Sequence, residues 1–152
     1  MTRLAGRSHL PQLALALSLA ASPFGCAVPP APPANPFVGT WATADNDIVT
    51  IRADTIVQRE PDGRSVTLDN RACGGVFRFN YDTRSRQTLT GLIMRQPELQ
   101  KKLSELLPAP IYRVVELVCD HGDQTYVLLN DRQLVAIYRD GDIGAIDRLA
   151  RR

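Results

Sequence analysis

Chemistry has few places to reside in this chain. Its 152 residues hold two histidines, His9 and His121, and three cysteines, Cys26, Cys73 and Cys119. His121 lies in the run Cys119-Asp120-His121-Gly122-Asp123, where an imidazole beside two carboxylates has the residue types of a general acid–base pair. A turn facing water gives those carboxylates neither burial nor fixed geometry, and no nucleophile accompanies them, so the run reads as solvated polar surface. Cys73, Cys119 and His121 offer three ligands for a tetrahedral metal but lack a fourth. Asp45/Asp47 and Asp140/Asp142 each match two alternating oxygens of a calcium loop. Neither is followed by the glutamate that completes an EF-hand, and turn chemistry accounts for both. The sequence contains no Gly-x-Ser-x-Gly elbow, no His-Glu-x-x-His helix and no phosphate-binding glycine loop. This inventory argues against an enzyme and calls for no metal and no cofactor.

The segments that must position these residues begin late in the chain. Residues 1–27 read as a targeting segment: Arg3 and Arg7 form a positive start, and Leu13 to Ala21 is an apolar stretch too short to cross a bilayer. Gly25, Cys26 and Ala27 are the small residues that follow. Pro23-Phe24-Gly25-Cys26 resembles a bacterial lipoprotein cleavage box, which implies that Cys26 becomes the lipidated first residue and a membrane anchor. Cleavage after Ala27, releasing a soluble periplasmic protein, is the competing reading. Either way the expected location is the bacterial cell envelope.

Export changes the meaning of the charge. The 18 basic and 16 acidic residues give +2, but Arg3 and Arg7 leave with the leader and no acid precedes Asp45, so the remainder balances at 16 against 16. A neutral chain carries no argument for nucleic acid. With Cys26 consumed in processing, Cys73 and Cys119 are one pair in an oxidising compartment, and a disulfide is expected.

Residues 28–36 (VPPAPPANP) form a proline-rich linker that favours extended polyproline geometry, and residues 37–152 form a single domain. That domain opens on Phe37-Val38-Gly39-Thr40-Trp41. Gly39-x-Trp41 at the start of a first strand resembles the calycin signature of lipocalins and of bacterial metalloprotease-inhibitor barrels. The resemblance implies an up-and-down barrel closed at one end by Trp41, with a basic residue of the last strand, Arg148 or Arg139, stacked on the indole. It also implies that the segment ahead of the barrel, here Pro32 to Phe37, enters a protease cleft. A tryptophan that fills the core of any small β fold is the other reading.

Alternation predicts a hairpin from Ile48–Arg52 and Thr55–Arg59, a short strand at Ser65–Leu68, and a strand at Val76–Tyr81 with Phe77, Phe79 and Tyr81 inward. The period then changes. Asp82 or Thr83 is placed to cap a first helix carrying Leu89, Leu92 and Ile93. Pro97 and Glu98 start a second, with Leu99, Leu103, Leu106 and Leu107 as its apolar stripe. Tyr112 to Arg139 reads as three strands joined by two tight turns. Ile143 to Leu149 is either a last strand or a helical turn.

The expected fold is therefore mainly β with a helical insert at about 84–107. It is either an antiparallel meander or small calycin-like barrel packed against the helix pair, or an α+β sheet curled around a helix. The function classes left are an inhibitor or protein-interaction module facing an envelope protein or a secreted protease, a carrier of small apolar ligands in a cup lined by Phe77, Phe79, Leu117 and Val127, and a structural envelope component.

Overall fold

A computed structural model describes residues 34–75, 78–120 and 122–152. The leader with Cys26, the linker up to residue 33, Val76, Phe77 and His121 lie outside the described residues. Among the described residues eleven elements follow in chain order: β1 (Gly39–Ala42), β2 (Ile48–Ile51), β3 (Ile56–Arg59), β4 (Ser65–Leu68), β5 (Arg78–Ser85), α1 (Arg86–Gly91), α2 (Pro97–Leu106), β6 (Ile111–Cys119), β7 (Gly122–Asn130), β8 (Gln133–Asp140) and β9 (Ile143–Arg151). All nine strands join one antiparallel sheet in the order β4-β3-β2-β1-β9-β8-β7-β6-β5, which curls into a half-barrel. This order is a next-neighbour meander in which the last strand has come round to pair with the first. The break falls between β4 and β5. The helices lie in the connection between β5 and β6, which pair with each other over eight positions from Arg78↔Val118 to Ser85↔Ile111. An insert between hairpin partners leaves the meander intact.

The long strands bury both faces. On the concave side Val115, Leu117, Tyr126, Leu134, Ala136 and Leu149 form one cluster with Trp41, Ile51 and Ile56. On the other side Val114, Val127, Val135, Ile137 and Ile146 form a second with Leu89, Ile93, Leu103 and Leu107. Strand runs with two dry faces lose the clean alternation that marks a half-exposed sheet, which explains why both parities of β7 and β8 look apolar.

Two local expectations change and one open alternative is decided. Asp82 and Thr83 belong to β5, and Ser85 caps α1, its hydroxyl accepting the Thr88 N–H at 3.1 Å. Continued pairing with β6 extends the strand past the first available cap. The segment after Asp140 is a strand: Ile146 enters the helix-side cluster and Leu149 the concave one, so their three-residue spacing crosses the sheet. Val127 likewise lies on the helix side and does not line the cup.

Cys73 and Cys119 are bonded, with sulfurs 2.17 Å apart and a sequence separation of 46. The bond fixes the connection after β4 to the end of β6, across the break in the sheet. Loop closure of this length is worth about 4 kcal/mol in the unfolded chain. Cys73→Ser should therefore lower the thermal midpoint of the oxidised domain by more than about 10 °C. A calorimetric midpoint that does not move would remove the bond from the account of stability.

Candidate functional site

One end of the cup is sealed by β1 and β9. Trp41 is fully buried, and its Nε1–H donates to the Phe37 carbonyl at 2.9 Å. The basic residue over the indole is Arg151, with its guanidinium carbon 4.4 Å from the ring centroid. Register explains the choice: Trp41 lies directly opposite Arg151, and Ala42 opposite Ala150. Arg148 is on the opposite parity, beside Glu105 and Tyr112 on the helix side, and Arg139 is paired with Asp123. The expectation of Arg148 or Arg139 as the stacking partner is thus corrected by the alternation of β9 and β8. Arg151 also donates to the carbonyls of Asp131 at 2.9 Å, Val38 at 3.4 Å and Pro36. Gly39 makes room for it: its φ is +149°, and a Cβ there would come within 3.0 Å of Nη1 of Arg151. Phe37, 1% exposed, is part of this seal.

Behind the seal a polar bridge crosses the cup. Gln58 on β3 donates to the Gln124 side-chain oxygen at 3.2 Å and to the Tyr126 hydroxyl at 3.3 Å, and Tyr126 donates to Gln124 at 2.7 Å. The ring of Tyr138 meets that of Tyr126 edge-on at 6.4 Å. Burial pushes both hydroxyls above their ordinary value of 10.0, with Tyr138 adding to the effect at Tyr126 and Asp147 adding to it at Tyr138. The Asp147 carboxyl is also raised, by desolvation first and then by Asp47 and Asp45, against an opposing effect of Lys102.

Two cavities flank this bridge. One, of about 370 Å³, lies between β2–β4 and β9 and is lined by Val49, Gln58, Val66, Tyr138 and Asp147. The other, of about 210 Å³, opens at the end opposite the seal and is lined by Leu68, Leu117, Gln124, Tyr138, Ile143 and Ala145. Ile143 at its lip is 74% exposed, and Met94 is 70% exposed. Ile143 and Met94 both line a shallow groove of about 210 Å³ on the outer side of the β8–β9 turn. Around this apolar mouth stand the ion pairs Arg139–Asp123 and Arg95–Asp142, with Asp140 also on the wall.

The other residues singled out in the sequence fall as follows. Leu117 lines the mouth, and Phe79 packs against the concave cluster with its ring 5.4 Å from that of Tyr81. Asp47 and Thr43 hydrogen-bond one another within the β1–β2 turn. Asp120 lies against Gly74, where an added Cβ would meet its Oδ2 at 2.1 Å. Arg84 makes a two-point contact with Glu116 at 2.9 and 2.8 Å. Reading by side-chain type passed over Gln58, Gln124, Tyr126, Tyr138 and Arg151. Polar residues at inward positions of otherwise apolar strands were the available signal for the first three. No protein-family model, curated protein or solved structure matches the chain.

Two outcomes follow. Arg151→Ala should destabilise the domain by about 1–2 kcal/mol and change the Trp41 emission, whereas Arg148→Ala should do neither. Arg151→Lys should not rescue, because an ammonium cannot both stack and fan its donors. Equal effects at 148 and 151 in fluorescence-detected unfolding would refute the assignment. The second outcome concerns pH. A tyrosine whose folded pKa is raised contributes stability that is fully present below its unfolded pKa and is lost as pH rises through the folded value. Thermal midpoints should hold up to about pH 10 and fall above it, and Tyr138→Phe should make the fall shallower. An equally steep fall in that variant would contradict the buried-hydroxyl account.

Proposed function

We propose that this chain is a non-enzymatic binding module of the bacterial cell envelope, acting through the mouth of a calycin-like cup on a protein partner. The observation that carries the reading is the mouth: a small open cavity whose lip is Ile143 and whose neighbour is Met94, both largely exposed. Exposed apolar surface gathered around a cavity and rimmed by ion pairs has the anatomy of an interaction site. Its volume of about 210 Å³ is below the roughly 300–1,000 Å³ of whole-ligand pockets and suits one inserted side chain. A helix pair packed on the convex face leaves the mouth as the open end of the cup.

The protease-inhibitor variant of this reading is disfavoured in its usual form. Phe37 and the Pro36 carbonyl are engaged by the seal, so these two residues are not available to enter a cleft. A carrier ranks second, favoured by the cavity of about 370 Å³, which reaches ligand size but is separated from the mouth by the Gln58–Gln124 bridge. The envelope location rests on the leader, the Cys26 box and the proline-rich linker.

One preparation from the envelope tests the reading. A photo-crosslinking amino acid in place of Ile143 should give a discrete protein adduct, and the same group in place of Arg132, at the sealed end, should give none. Adducts from neither position, or equally from both, would remove the mouth as the binding site. Non-denaturing mass measurement of the same material, showing a bound small molecule, would put the carrier first. A denatured mass beginning at acylated Cys26 is expected, and one beginning near Val28 would replace the anchor with a free periplasmic protein.

A further inference from the structure

Resting on that reading of the mouth, we propose that the partner presents one aromatic side chain flanked by lysine or arginine. Volume selects the anchor. A dry cavity of about 150 Å³ accommodates benzene, so about 210 Å³ admits a phenylalanine or tyrosine ring with little room to spare. Leu68 and Leu117 supply apolar walls, and Gln124 and Tyr138 place polar groups at the inner end. A rigid ring gains more from such a socket than a flexible chain does, because it loses less rotamer entropy on entry. Met94, unbranched and 70% exposed, adapts to whatever flanks the anchor.

Charge selects the flanks. Asp123, Asp140 and Asp142 line the mouth and the groove outside it, against Arg139 and Arg95. Arg139 is committed to Asp123 and Arg95 to Asp142. Asp140 has no cation partner among the described residues, which leaves the rim with an excess of negative charge. A basic residue beside the anchor complements Asp140, while an acidic one faces it with like charge, so the rim discriminates between partners that share the same ring.

The test uses the isotope-labelled mature chain and three pentapeptides: phenylalanine between two lysines, phenylalanine between two glutamates, and alanine between two lysines. Amide shifts of Gln124 and Ile143 report occupancy of the mouth. The lysine–phenylalanine peptide should bind about threefold to tenfold more tightly than its glutamate counterpart at low salt, with the gap closing as salt rises. The alanine peptide should leave Gln124 unmoved. Asp140→Lys, at the exposed end of β8 and with an unchanged melting midpoint, should invert the preference. Equal binding of the two phenylalanine peptides would overturn the basic flank and leave the docking site standing. If neither shifts Gln124 or Ile143 while the crosslink from position 143 still forms, the aromatic anchor is wrong. If that crosslink is missing too, the docking reading falls with it.

Discussion

Two residue pairs, Trp41 with Arg151 and Ala42 with Ala150, join the two halves of this sheet. On one side stand hairpins of four-residue strands, and on the other strands of eight or nine residues. So short a ladder contributes little orientation by itself, since each hydrogen bond nets about 1 kcal/mol. Arg151 supplies what the ladder lacks. Its plane covers the indole while its edge donates to carbonyls ahead of β1 and in the β7–β8 turn. Three chain segments are thereby fixed to one side chain. Only a planar, multi-donor cation serves both purposes, and only a residue without a Cβ at position 39 lets it lie there.

A narrow joint leaves the rest of the cup to be held by contacts other than a strand ladder. Three of them cross the interior or the break: Gln58 to Gln124 and Tyr126, the Tyr81 hydroxyl to the Arg52 carbonyl at 3.2 Å, and Cys73 to Cys119. Together they tie the β2–β4 side of the sheet to β5, β6 and β7 without strand pairing. Edge strands left this way invite a foreign strand. Part of that risk is blunted locally, because the Asp82 carboxylate accepts the Thr83 N–H at 2.7 Å and the Arg84 guanidinium is held between Asp82 and Glu116. The covalent bond does more here than reduce unfolded-state entropy. It joins the connection after β4 to the end of β6, where the strand order has no ladder between β4 and β5.

The parts of this arrangement that were legible in the sequence are those fixed by neighbours along the chain. Alternation and turn residues mark the β2–β3 hairpin and the β6–β7–β8 run, and the proline at position 97 marks the start of α2. The cysteine pair follows from counting. What could not be read depends on parity between distant strands. Arg148 and Arg151 both lie on the last strand, and only the register that sets Trp41 opposite Arg151 decides which one reaches the indole. The same holds for Val127 and Tyr126, adjacent residues on opposite faces of a strand with two dry sides. The bridging glutamine Gln58 meets its partner 66 residues later in the chain, beyond any local pattern.

The mouth follows from the same mismatch in strand length. β1 reaches β9 only at the final residues of that strand, so among the described residues the half from Ile143 to Ile146 has β8 on one side and no paired strand on the other. Covering this end would need only longer β1 and β2 strands or a polar residue at the lip. The chain instead places isoleucine there, 74% exposed, next to a cavity with leucine walls. Neither choice is required by the core, whose two clusters are complete without Ile143. A single exposed apolar residue is ordinary on a protein surface. An exposed apolar lip, an open socket behind it and charge around it occur together here, and none of the three is demanded by folding alone.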